Sequence, residues 1–220
     1  MNRTPTISVL IPVNNQEKFI GRCIRSVLNQ KYPDSEFEII VVNDASTDRT
    51  RDALEPYIND IRLIESPRQL GLPASLNKGI KGSRGRFVIR VDADDYVHAE
   101  YLNVLSLHLA LNDYMDAIAC DYQIVNEAEE VLEIKNCIEN PIGCGIMFRK
   151  EQLIDLGMYD ESFLLHEDKD LRIRFLEKYK IYRVALPLYR YRQHGNNLTN
   201  NLQAMAEYQR ELERKHRGER

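Results

Sequence analysis

Three carboxylates fall within four positions in VDADDY, residues 91–96: Asp92, Asp94 and Asp95. Like charges this close repel, so the arrangement asks for a positive partner. The apolar run before them, in RFVIR, reads as a strand and puts the acids at its carboxyl end. An Asp-x-Asp pair at a strand end suits a hard divalent cation. Mg2+ and Mn2+ take oxygen ligands and complete their shell with substrate phosphates and water. Arg90 stands just before the acids and Ala93 between them. Neither G-x-x-x-x-G-K-[ST] nor G-x-G-x-x-G occurs, so a phosphate here would rest on metal rather than on a glycine-rich loop.

Other chemistry-bearing residues occupy comparable positions. Pro12, Val13, Asn14 and Asn15 end one apolar run, and Asn43 and Asp44 end another. In open α/β sheets ligands bind beyond the carboxyl ends of the strands. These three strand ends therefore offer amides and carboxylates to one crevice. Further on, HED (166–168) places Glu167 and Asp168 at a predicted helix start, where the dipole favours a carboxylate anion able to act as a base. Asp170 is expected on another helix face, as a solvated or capping acid. His194, beside Arg190 and Arg192, is placed within reach of a metal or a diphosphate.

The elements that position these residues alternate. ISVLIPV (7–13) and FEIIVVND (37–44) read as strands buried on both faces. Between them, Phe19, Ile20, Cys23, Ile24, Val27 and Leu28 recur at helical spacing. STDRTRDALEPYI begins with capping residues and becomes a helix. IRLIES, a helix in LGLPASLNKGIKGSRG, and RFVIRVDADD complete a strand–helix alternation to about residue 95. The pattern predicts an α/β fold with a mostly parallel central sheet flanked by helices. Beyond it come a helix (AEYLNVLSLHLALN), a strand (MDAIACDYQIV), a polar hairpin or excursion, and a strand running into a helix. A helix with Leu171, Phe175 and Leu176 on one stripe follows, and a last strand closes the series. One domain is expected over 1–200, its nucleotide-binding half about 1–97 and its acceptor-binding half about 98–200. Residues 201–220 read as a charged helix or tail with Met205, Tyr208 and Leu212 as its apolar line.

The 220 residues suffice for one domain with a real core. With 30 basic and 34 acidic residues the net charge is −4, which speaks against nucleic acid as a partner. The four cysteines show neither C-x-x-C nor zinc-ligand spacing, and read as free or buried thiols in a reducing cytoplasm. No apolar run approaches the roughly 18 residues of a membrane span. Work from the inner surface of a membrane stays open, and the oligomeric state is not readable.

Six stretches, in order, resemble a family 2 glycosyltransferase of the GT-A fold. They are ISVLIPVNNQEKFIGRCIRSVLNQ, FEIIVVNDASTDRT, LGLPASLNKGIKGSRGRFVIRVDADDY, GIMFRKEQLIDLGMYDESF, HEDKDLRIRF and YRYRQHGNNLT. The resemblance implies an inverting, metal-dependent transfer of a sugar from a nucleoside-diphosphate donor, UDP by default, to a hydroxyl. It implies a glycan or lipid-linked glycan acceptor, as in polysaccharide, lipopolysaccharide or other cell-envelope synthesis, with Mg2+ or Mn2+ as cofactor. By the same resemblance Pro12, Val13, Asn15, Asp44, Arg90, Asp92 and Ala93 contact the donor, and Asp44 reads its base. Asp94 and His194 hold the metal, Asp168 is the catalytic base, and Glu167 stands on the acceptor side. The chain departs from the common pattern at Asn14, Asn43 and Ala45, where many members carry Tyr, Asp and Gly.

Two alternatives stand beside this reading. One is an inactive nucleotide-sugar-binding module partnering another transferase, which would have lost a catalytic residue. The other is a nucleotidyltransferase, which would show a glycine- and lysine-rich triphosphate grip.

Overall fold

The computed structural model describes residues 4–195 and 202–217. Residues 196–199, the end of the last quoted stretch, lie outside it, as do 201 and 218–220 of the charged C-terminal segment.

The elements run β1 (Ile7–Val13), α1 (Ile20–Leu28), β2 (Phe37–Asn43), α2 (Thr50–Leu54), β3 (Arg62–Glu65), α3 (Leu72–Gly82), β4 (Phe87–Arg90) and β5 (Tyr96–Val97). Then follow α4 (Tyr101–Leu111), β6 (Ala117–Val125), β7 (Val131–Lys135), β8 (Ile146–Arg149), α5 (Lys150–Asp155), α6 (Glu167–Lys178), β9 (Ile181–Arg192) and α7 (Leu202–Arg217). Among the described residues nine strands form one sheet, in the order β3-β2-β1-β4-β8-β6-β9-β5, with β7 on β6.

The expected parallel pairing is found across β3-β2-β1-β4. Beyond β4 the sheet is mixed: β8 runs antiparallel to β4 and β6, and β9 returns parallel to β6. The two registers of β1 explain why three strand ends share one edge. Val13 lies opposite Asn43, and Leu10 opposite Arg90. β2 thus finishes level with β1 and β4 three residues short of it, so the acids that follow β4 run beside the end of β1.

Strand alternation divides the core. Ile7, Val9, Ile11 and Val13 face α1 and α4 with Tyr101, Leu102 and Leu105. Leu10 faces the other way, toward Leu76 and Ile80 of α3 and Leu171 and Phe175 of α6. Both faces of β1 are buried, so its continuous apolar run was the signal of a central strand. On α6 the predicted stripe is narrower than expected. Leu171 and Phe175 are in the core, while Leu176 stands half exposed. The cysteines are free and buried. No described helix is long and apolar enough to cross a membrane.

Candidate active site

The cleft begins where β1, β2 and β4 end. Pro12 and Val13 are buried in the last positions of β1. Asn14 donates its side-chain amide to the Asp44 carbonyl at 2.7 Å, tying the two strand ends together. Asn15 takes a left-handed backbone, φ 53°, which asparagine tolerates. Its Oδ1 accepts the Thr47 N–H at 2.7 Å and shapes the loop after β2. Ala45 sits at φ 54°. A side chain is strained there and glycine is not, which gives a physical reason for the glycine common at this position in the resembling family.

Asp44 is buried and its carboxylate is in use. Oδ1 accepts the Leu70 N–H at 2.9 Å and Oδ2 the Gly71 N–H at 2.8 Å. It therefore fixes the loop leading into α3. Each oxygen keeps a second lone pair for a ligand donor.

The three acids after β4 have three different fates. Asp92 is gripped by Arg90, Oδ1 to Nε at 2.5 Å and Oδ2 to Nη2 at 3.0 Å. Asp94 points at His194, with Oδ2 and Nε2 2.9 Å apart. Burial, with the charge of Asp92 beside it, pushes the Asp94 carboxyl above its usual range, against the pull of His194. Asp95 is fully buried and structural. It accepts the Tyr189 hydroxyl at 2.7 Å and the Arg192 backbone N–H at 2.7 Å. Burial, then the neighbouring acids, push its carboxyl well up. Ala93 is buried between them.

The donor set suits a hard cation at Asp94 and His194. Their Oδ2 and Nε2 are joined by a hydrogen bond, so both atoms face one space, and a cation binding both would take the place of the shared proton. A second cluster, Asp92, Asp95 and Cys144, brings its donor atoms within 4.8 Å of one another. It is the poorer cradle. Tyr189 and the Arg192 N–H seal the Asp95 carboxylate inside the protein, and burial holds the Cys144 thiol well above its usual range and so protonated.

Across the cleft, α6 opens on His166, left-handed at φ 63°, followed at once by Glu167 and Asp168. The two acids diverge. Glu167 turns inward, 5% exposed, and accepts Arg90 Nη1 at 3.0 Å. Arg90 thus joins the strand-end acids to the start of α6. Burial raises the Glu167 carboxyl to about 7, opposed by Arg90 and helped by Asp168. Asp168 is only partly buried and lines a cavity of about 30 Å³ with Pro141, Gly143, Tyr159 and Arg172. A side chain at 143 would meet Arg90 and the Asp168 Cβ at 2.8 Å, so glycine is what lets the three come together.

Asp170 departs from expectation. It is on a different face from Asp168, but it is wholly buried rather than solvated. Arg174 Nε at 2.8 Å, Lys215 Nζ at 2.6 Å and His216 Nε2 at 2.9 Å surround it. A buried carboxylate needs such partners, and two of them come from the C-terminal helix.

The structure thus gathers Asp44, Arg90, Asp92, Asp94 and His194 along one sheet edge and links them to Glu167 through Arg90. Sequence reading missed Tyr189, whose hydroxyl accepts the Asp92 N–H at 3.1 Å and donates to Asp95. It also missed Phe19, whose ring lies 4.9 Å from that of His194. These partners are far apart in sequence; the tyrosines of YRYR were the only local signal. The Arg192 guanidinium, 5.0 Å from the Phe19 ring, donates to the Asp94 carbonyl at 2.9 Å.

A family model described as Glycosyl transferase family 2 matches residues 8–167. The putative glycosyltransferase EpsH of Bacillus subtilis is 38% identical over 122 residues, covering 54% of this chain and 34% of the relative. The poly(ribitol-phosphate) beta-N-acetylglucosaminyltransferase TarS of Staphylococcus aureus is 39% identical over 98 residues, 43% of this chain and 17% of TarS. The matched stretches therefore cover 34% or less of the length of these two relatives. The solved structure of TarS residues 1–349 with UDP-GlcNAc superposes with a TM-score of 0.77 at 24% identity, over 89% of this chain and 61% of that one. The mannosyltransferase PcManGT of Pyrobaculum calidifontis, in complex with GDP-Man and Mn2+, gives 0.76 at 18% identity, over 99% and 66%. At these identities the structural likeness speaks for the fold alone, which is that of the GT-A glycosyltransferases.

Proposed function

The chain belongs to glycosyl transferase family 2, and from that premise we propose that its cleft moves a sugar from a nucleoside diphosphate, UDP first, to a hydroxyl with inversion. The observation that carries this reading is the Arg90 bridge. It sets an acidic strand-end cluster beside a helix start bearing a second pair of acids, in a cleft at the carboxyl edge of the sheet.

The geometry and the family resemblance together support a division of labour. The Asp44 loop and the turn at Asn14 and Asn15 form the floor for the nucleotide, and Arg90 orients Asp92 toward the ribose and diphosphate. Asp94 and His194 are the residues that would hold Mg2+ or Mn2+. When bound, such a cation stabilises the charge that builds up on the leaving diphosphate. Asp168 takes the acceptor hydroxyl proton on a carboxylate oxygen. The hydroxyl oxygen bonds to the anomeric carbon as the bond to the diphosphate breaks. One displacement without a covalent intermediate inverts that carbon. Glu167, turned toward Arg90, steadies the site rather than facing the acceptor.

TarS, by its name, acts on poly(ribitol-phosphate), and its structure was solved with UDP-GlcNAc. These support a cell-envelope glycan as acceptor and UDP-GlcNAc as the first donor to try. The test is UDP release from a panel of UDP-sugars, and GDP release from GDP-mannose, with Mn2+ and with chelator. Mn2+-dependent release from one donor supports the reading. Binding of UDP without turnover of any donor would favour a binding module instead.

A further inference from the structure

Helix α7 grips the segment that leads into and opens α6. His166, directly before Glu167 and Asp168, is buried, and its Nε2 lies 3.1 Å from the Met205 carbonyl. A carbonyl only accepts, so Nε2 is the donor. One residue past the two acids, Lys169 Nζ reaches Gln209 Oε1 at 3.2 Å. Lys215 Nζ lies 2.8 Å from Asp160 Oδ2, 2.6 Å from Asp170 Oδ1 and 5.0 Å over the Phe163 ring. His216 completes the hold on Asp170. From Asp170 the grip extends further. Arg174, paired to its other oxygen, donates to the carbonyls of Leu156 and Met158 at 2.8 Å each. Leu212 seals the contact as a buried apolar residue.

These ties land on residues 160–170. His166 shows what they hold. A histidine at φ 63° is strained. It aims the first turn of α6 so that Glu167 enters the Arg90 pair while Asp168 lines the cavity.

We propose that α7 is a clasp for the acceptor side of the cleft, and that His166, Lys215 and His216 are positioning residues acting through it on Asp168. The inference rests on the reading of Asp168 as the base. It separates two properties: donor binding rests on the strand ends, which reach the clasp only through the Glu167–Arg90 contact, and turnover depends on the clasp directly.

The experiment compares the wild-type chain with His166→Gly and with Lys215→Met/His216→Gln. Glycine adopts the left-handed turn freely, so His166→Gly keeps the backbone path open while removing the ring tie and the strain, and Lys215→Met/His216→Gln leaves that backbone untouched. Three readouts are taken: hydrogen exchange of amides 166–171, UDP affinity by calorimetry with Mn2+, and UDP release from UDP-GlcNAc. In both variants exchange over 166–171 is expected to quicken about tenfold, as local opening becomes easier. The turnover rate is expected to fall about ten- to a hundredfold, the scale of a misplaced catalytic group. UDP affinity and the KM for UDP-GlcNAc are expected to stay within about twofold of wild type, since their determinants lie on the strand ends. Unchanged exchange and turnover would overturn the clasp, as would a loss of UDP affinity in step with turnover. If the wild-type chain releases no UDP from UDP-GlcNAc, that donor reading fails, and the exchange comparison decides the clasp alone.

Discussion

On the β1–β2–β4 side of the cleft, polar residues sit within a few positions of a strand end. On the α6 side, the acids sit on a helix whose first turn is held by Arg90 and by a distant C-terminal helix. The first construction rests on strand register. Parallel neighbours bring Asn14, Asp44 and Asp92 to one edge, where Tyr189 and His194 then tie down Asp92 and Asp94. The second is assembled over long sequence separations, from Arg90 to Glu167 and from Asp170 to Lys215. The difference teaches that one half of a site can be robust to substitution at a distance while the other half is not. Variants should therefore sort by side.

The largest effect is expected from the strand-end side. Asp94→Asn removes a carboxylate charge at the Asp94–His194 pair and leaves the size unchanged. UDP release should vanish while thermal melting stays near that of the wild type. A wild-type rate in this variant would remove Asp94 from the metal assignment. On the α6 side, Asp168→Asn should lower turnover by about 10²–10⁴, the range of general-base assistance. UDP affinity should be unchanged, because the proposed donor contacts lie across the cleft. Asp170→Asn is the sharpening control. It should cost about 3–5 kcal/mol of stability, as breaking a buried charge cluster does, with a smaller effect on rate. Loss of turnover in Asp170→Asn with full activity in Asp168→Asn would show that the base has been placed on the wrong carboxylate.

The same contrast explains what the sequence revealed. The runs 7–13 and 37–44 are apolar on both faces because the strands are central, and their polar ends are contiguous in the chain. The parallel half and the residues Asp44, Asp92 and Asp94 were therefore legible without a structure. The mixed half was not legible as a layout. Pairing of β8 between β4 and β6 leaves no periodic trace, since buried strands read alike in either direction. Asp95 and Asp170 are written like their acidic neighbours. Only Tyr189 and Arg192, about a hundred positions away, and Lys215 and His216 in α7 make them structural. Glu167 shows the limit most plainly, because its partner Arg90 lies on the other side of the sequence and turns it inward.

A smaller effect separates contact from scaffold within the donor side. Asp44 binds two backbone N–H groups of the loop at Leu70 and Gly71 and is expected to read the base as well. Loss of such a partner costs about 1–3 kcal/mol, so Asp44→Ala should weaken UDP roughly ten- to a hundredfold in calorimetry. Asp44→Asn keeps one acceptor oxygen for the loop and loses the charge. If both variants bind UDP as the wild type does, Asp44 holds the loop and nothing more.

The smallest effect concerns Glu167 and is read in stability against pH. Burial lifts its carboxyl in the folded protein from 4.5 to about 7, against the pull of Arg90. Between those values the folded state binds more proton than the unfolded state. The contribution of this group is therefore complete below about 4.5 and is lost as pH rises toward 7. Glu167→Gln cannot titrate and escapes that loss. Its melting temperature, relative to wild type, should rise between pH 5 and pH 7.5. Asp160, held at about 2 chiefly by Lys215 and Ser162 against burial, changes only in more acid solution and does not enter this window. His166, kept below its usual range by burial and by Lys169, does enter it, but equally in both proteins, so the difference isolates Glu167. Parallel melting curves across the range would mean that Glu167 is ionised throughout and paired to Arg90 as an ordinary salt bridge. The long-range half of the cleft would then be held by charge alone, without the cost of burying a carboxyl.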